Sequence, residues 1–119
     1  MQDRPKSEAF GKVFEHFIFQ ELIAHSHYSG SDYPVAYWRT ASQLEVDFIL
    51  GDHEIAVEVK GREWIGPPHL RGLQAFREEY KIKKAIVVCL ESRARLSDGI
   101  HILPWSTFLE QLWMGDLLK

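Results

Sequence analysis

LEVDFILGDHEIAVEVK, residues 44–60, reads as two strands joined by a tight turn. Leu44, Val46, Phe48 and Leu50 alternate with Glu45, Asp47 and Ile49. Ile55, Val57 and Val59 alternate with Ala56, Glu58 and Lys60. A period of two built from β-branched and aromatic residues marks a half-buried strand. Gly51-Asp52-His53 supplies the reversal, with a glycine able to take a positive φ. The anomaly is polar. Asp47, Glu58 and Lys60 stand in the middle of a hairpin that has a core to build.

Strand geometry limits where these three side chains go. Glu58 and Lys60 are two apart, so they share a face at a spacing of roughly 7 Å. A loop of Asp52-His53 sets Leu50 opposite Ile55 and Asp47 opposite Glu58. A loop of Gly51-Asp52 shifts the register by two and keeps Asp47 on that same face. Only an odd-numbered loop sends Asp47 to the other side. Neighbouring carboxylates repel unless a proton or a cation sits between them, and a hard divalent ion suits oxygen ligands. The competing reading is a solvated polar face with a surface Lys–Glu pair.

A chain of 119 residues with 45% hydrophobic and 26% charged residues is expected to form a single domain, residues 1–119, with a real core. No apolar run approaches the ~20 residues of a membrane span, and MQDRPKSEAF has no apolar leader core. These features predict a cytoplasmic protein without a membrane partner. Cys89, within Ala85-Ile86-Val87-Val88-Cys89-Leu90, has no cysteine to pair with and is expected to be a buried strand residue. The net charge of −3 is unevenly spread. Residues 1–59 carry four basic and ten acidic side chains, whereas residues 60–84 carry seven basic and three acidic ones. A basic segment that follows an acidic cluster can steer a polyanion towards it.

Ser7 or Asp3 is the expected cap of a first helix running to about His25. Its apolar face would hold Phe10, Val13, Phe14, Phe17, Ile18 and Leu22, with Glu15 at the border. Val35 to Thr40 reads as a strand. After the breaker-rich Gly61–Pro68, Leu70, Leu73, Phe76 and Tyr80 mark a second helix, with Pro68 in its first turn. Lys84 to Leu90 reads as a central strand, Ile100 to Leu103 as a short one, and Trp105 to Leu112 as a last helix with Phe108, Leu109 and Leu112 inward. This order predicts an α/β sandwich around a mixed sheet flanked by helices.

The order αβββαβ, with Asp47 on the second strand and Glu58-x-Lys60 on the third, resembles the PD-(D/E)xK nuclease superfamily, the restriction-endonuclease-like fold. More narrowly it resembles the nuclease-like C-terminal domain of unknown function that follows an AAA-type ATPase in many prokaryotic proteins. The residues that carry the likeness are Gly11-Lys12-Val13-Phe14-Glu15-His16-Phe17, Tyr37-Trp38-Arg39, Glu45-Val46-Asp47-Phe48-Ile49, Ala56-Val57-Glu58-Val59-Lys60, Gly72-Leu73-Gln74-Ala75-Phe76, Ala85-Ile86-Val87-Val88 and Ile102-Leu103-Pro104-Trp105. The resemblance implies a nuclease dependent on Mg²⁺ or Mn²⁺. Asp47 and Glu58 would be metal ligands, and Glu15 would complete the metal shell directly or through water. Lys60 would orient or activate the attacking water, and Gln74 would be a polar helper. Val46 stands where the superfamily pattern has proline. Nucleic acid is the implied substrate, met by Arg62, Arg71, Gln74 and Arg77 among the basic segment. An AAA-type ATPase, in cis or in trans, is the implied partner.

The residue types suit phosphodiester hydrolysis. Carboxylates hold Mg²⁺ without filling its octahedral shell, and a compact ammonium beside it offsets phosphoryl charge. The alternative is a catalytically silent module on the same fold that binds nucleic acid or docks partners for an ATPase, because a fold does not by itself imply a function. His25-x-His27 lacks the further Cys or His ligands of a zinc site. Trp64, in the Gly/Pro loop after Lys60, is either a base-stacking or gating residue or a loop anchor.

Overall fold

A computed structural model describes residues 8–117. The chain is an α/β protein: α1 (Glu8–Tyr28), β1 (Val35–Arg39), β2 (Glu45–Leu50), β3 (Ile55–Val59), a 3₁₀ turn (Pro67–Leu70) running into α2 (Arg71–Glu79), β4 (Lys84–Cys89), β5 (Arg95–Ser97), β6 (Ile100–Pro104) and α3 (Trp105–Trp113). Among the described residues six strands form one sheet in the order β1-β2-β3-β4-β6-β5. β3–β4 and β4–β6 are parallel and the other pairs antiparallel, so the sheet is mixed, with helices on both faces. No helix among the described residues is long and apolar enough to cross a membrane. Ser7 and Asp3, the expected caps of α1, lie outside the described residues.

The period-2 patterns build two cores. Ile55, Val57 and Val59 of β3 and Ile86 and Val88 of β4 pack against Phe14, Ile18 and Leu22 of α1 and Phe108 and Leu112 of α3. On the other face Ala56, Ala85, Val87 and Cys89 pack against Leu73 and Phe76 of α2. β4 is covered on both sides, which is why its sequence is a continuous apolar run.

Several expectations need correction. Val13 and Phe17 face outward, Val13 67% exposed, because the inward stripe of α1 is the narrow row Phe14, Ile18, Leu22. Phe17 is met edge-on by Trp105 of α3, itself partly exposed. α1 continues three residues past His25, to Tyr28. β5 is an additional strand. It folds back on β6 through Asp98-Gly99, both with positive φ (52° and 75°), the pairing that a two-residue hairpin loop favours. The turn between β2 and β3 is four residues, Gly51 to Glu54, with Glu54 N–H donating to the Leu50 carbonyl and Gly51 drawn to Pro34. Leu50 nevertheless pairs with Ile55.

The largest departure is in β2. Ala36 pairs with Ile49 and Trp38 with Val46, so Asp47 and Phe48 together stand opposite Tyr37. This is a β-bulge, and it reverses the alternation beyond it. Val46 therefore packs with Ile49 against α2, while Phe48 and Leu50 face α1.

Packing of α2 holds β2 in place. Gly72 lies so close to the Glu45 carbonyl oxygen that a Cβ there would collide with it. A backbone acceptor inside a strand cannot retreat as a flexible side chain would. Gly72→Ala is therefore expected to destabilise the protein by about 2–3 kcal/mol despite the better helix propensity of alanine. Urea unfolding measures this, and an unchanged or raised midpoint would show that α2 does not press on β2.

Candidate functional site

The β2–β3 ladder runs through Leu50↔Ile55, Ile49↔Ala56 and Phe48↔Val57. The next pair by count is Asp47 and Glu58. There side chains take over from the backbone ladder. Asp47 N–H donates to Glu58 Oε1 at 3.0 Å, and Val59 N–H donates to Asp47 Oδ2 at 2.8 Å. Each carboxylate thus satisfies a backbone N–H of the strand opposite. The register of the hairpin brings Asp47 here, and the reciprocal bonds fix both side chains. Lys60 Nζ lies 3.5 Å from Glu58 Oε2.

Protonation follows from burial. Glu58 is 4% exposed. Desolvation, then the negative charge of Asp47, push its carboxyl well above the usual range, with Lys60 opposing. Burial also raises Asp47, against the stabilising bonds from Glu58 and the Val59 N–H. Burial and the repulsion between the two carboxyls both favour keeping one proton on the pair over ionising both groups.

Glu15 approaches from α1, half-buried, its carboxyl raised by desolvation and then by the charges of Asp47 and Glu45, with Lys60 and Lys12 pulling it down. It lines a recess of about 460 Å³ together with Glu8, Gly11, Lys12, Val59, Lys60, Gly61 and Arg62. Lys12 and Glu15 also line a second recess of about 490 Å³ with His16, Phe19 and Phe48. The two share residues and form one groove along α1. Asp47 and Glu58 do not line it; Lys60, 3.5 Å from Glu58, and Glu15, whose carboxyl feels the Asp47 charge, connect them to it.

The remaining predicted residues divide. Arg62 reaches the groove. Gln74 and Arg77 do not: Gln74 Nε2 donates to Asp98 Oδ2 at 3.0 Å, and Arg77 Nη2 lies 3.5 Å from the same oxygen, in a recess they share with Glu78. Arg71, the first residue of α2, is exposed. Lys12 and His16 belong to the groove but were not predicted site residues. The signal was present, since Lys12, Glu15, His16 and Phe19 recur at spacings of three and four and mark a second face of α1.

Fit to a divalent ion rests on the donor set. Among the described residues no three His, Cys, Asp or Glu side chains converge as a metal-binding group. Mg²⁺ does not require such a cage, because one or two carboxylates suffice when water and substrate phosphate fill the other places. Backbone N–H groups hold Glu58 Oε1 and Asp47 Oδ2, so a proton or a cation would use Asp47 Oδ1 and share Glu58 Oε2 with Lys60. The pair fits a two-carboxylate site, with Glu15 at the rim rather than in the inner set.

Two other polar groups are structural. His25 is buried, its titration lowered by desolvation, with Nδ1 3.0 Å from the Tyr33 hydroxyl. That hydroxyl donates to the Leu22 carbonyl, so it accepts from His25 Nδ1–H. Cys89 is buried, and burial pushes its thiol up to about 11, unsuited to nucleophilic work.

None of the curated proteins and none of the solved structures compared with the chain matches it. A family model described as a domain of unknown function, DUF4143, matches residues 10–108, a span from α1 to α3 that includes the carboxylate pair and Lys60. The chain belongs to this DUF4143 family.

Proposed function

We propose that the domain is a divalent-metal-dependent nuclease of the PD-(D/E)xK type, hydrolysing phosphodiester bonds of DNA or RNA. One observation carries this reading: Asp47 and Glu58 meet at the point where β2 and β3 separate, with Lys60 3.5 Å from Glu58 and itself lining a groove with Lys12 and Arg62. Mg²⁺ or Mn²⁺ held by Asp47 and Glu58 would supply positive charge to the phosphoryl oxygens and acidify water. Lys60 would place an ammonium where charge grows on the phosphate, and hold the attacking water in line. Glu15, with its raised carboxyl, would order water at the rim and carry a proton there. Lys12 and Arg62 would hold flanking phosphates without reading sequence. An AAA-type ATPase, in cis or in trans, is the proposed partner.

The second reading is a silent module that binds nucleic acid or docks partners for the ATPase. It draws on the absence, among the described residues, of a third convergent metal ligand. The test is cleavage of fluorescent single- and double-stranded DNA and RNA with Mg²⁺ or Mn²⁺. The nuclease reading expects cutting that EDTA stops and Glu58→Ala lacks. Cutting that survives Glu58→Ala belongs to another site or a contaminant, and metal binding without cutting favours the silent module.

A further inference from the structure

Trp64 is 60% exposed, yet the loop that carries it is tightly held. Its neighbour Ile65 is buried and fixed on both sides: Ile65 N–H donates to Glu91 Oε2 at 2.8 Å, and Arg95 Nη2 donates to the Ile65 carbonyl at 2.7 Å. Arg95 also grips both Glu91 oxygens at 2.8 Å, which holds that carboxyl below its usual range. Leu90 N–H donates to the Arg62 carbonyl at 2.9 Å. The indole rests on Gly66, so close that a Cβ there would strike the ring, and meets His69 edge-on at 6.2 Å. A side chain placed this firmly while still facing water is preorganised for a contact outside the protein.

Charge indicates what that contact is. Arg62 is two residues away and lines the groove with Lys60 and Lys12. His69 ties Trp64 to this group: its titration is lowered by desolvation and then by the positive charges of Arg62 and Lys60. Gly66 N–H donates to His69 Nδ1, so the ring accepts there and stays neutral. The charges that act on this ring are those of Arg62 and Lys60. A rigid aromatic face beside cations is the pattern that stacks a base while phosphates follow the charges. Bases inside a duplex are already stacked on both faces, so an indole standing in the open selects unpaired ones.

We propose that Trp64 is a stacking platform for an unpaired base of a single-stranded nucleic acid whose backbone runs along Arg62, Lys60 and Lys12. This rests on reading the groove as a phosphodiester site and names its substrate class. The test is fluorescence anisotropy of labelled oligo-dT and of a blunt duplex, in EDTA so that nothing is cut. Trp64→Ala should weaken single-strand binding about tenfold and leave duplex binding within a factor of two, while Trp64→Phe, which keeps a ring, should stay within about threefold of wild type. Intrinsic fluorescence gives an independent readout: oligo-dT should quench the wild type, and Trp64→Phe should lose most of that quench while still binding. Wild-type affinity in Trp64→Ala, equal losses on both substrates, or a quench that persists in Trp64→Phe overturns the proposal. Trp64-dependent binding without cleavage in any metal keeps the platform and removes the nuclease; cleavage indifferent to Trp64 does the reverse.

Discussion

Asp47→Ala and Glu58→Ala are each expected to lower metal-dependent cleavage by at least about 10³-fold, because each removes one of the two oxygen donors that converge where β2 and β3 part. Lys60→Ala is expected to lose about 10²–10³-fold in kcat with metal affinity nearly unchanged, since its proposed contribution lies in the transition state. Glu15→Ala should be milder, as it stands at the rim rather than in the pair. Single-turnover cleavage with saturating Mn²⁺ separates these effects. Equal loss of metal binding in Lys60→Ala would place the lysine in the structure of the site rather than in its chemistry.

Glu58→Gln is expected to be more stable than wild type at pH 8 by about 2–3 kcal/mol in the absence of metal, and about equal to it at pH 5. Burial and the Asp47 charge push the Glu58 carboxyl up to about 8, from an ordinary value of 4.5. The folded protein therefore holds a proton that the unfolded chain releases. The stability that this one group contributes is full below about pH 4.5 and falls as pH rises towards 8. Glutamine keeps an oxygen for the Asp47 N–H and brings a permanent donor in place of the proton, so this slope should flatten. Urea midpoints at several pH values in EDTA read it directly. Parallel slopes in the two proteins would show that the carboxylates do not share a proton.

The hairpin of residues 44–60 was legible because its information is local. Parity alone keeps Asp47 on the face of Glu58 for any even loop, and the observed register, with Leu50 opposite Ile55, sets the two side by side. The bulge was not legible, because it depends on Tyr37 of a separate strand standing opposite two residues of β2. Hence Val46 was expected beside Phe48 and lies on the other face. Val13 and Phe17 carry the helical period of a buried stripe, but how much of a stripe is covered depends on where α3 crosses it. Gln74 and Arg77 read as nucleic-acid contacts, and their pairing with Asp98, more than twenty positions away, was not legible. β5 could have been found from Asp98-Gly99. Contacts that pair residues within one hairpin survive a one-dimensional reading, and those that need a third element do not.

Exchange of the shared proton for a divalent cation is tested most directly by calorimetry. Mn²⁺ and Mg²⁺ are titrated into the protein at pH 7 in Tris and in HEPES, whose ionisation enthalpies differ. Binding at Asp47 and Glu58 predicts millimolar or tighter affinity with about one proton released per ion, and loss of both heat and proton release in Glu58→Gln. Absence of binding at millimolar metal, or binding unchanged in Glu58→Gln, would contradict a metal site at this pair.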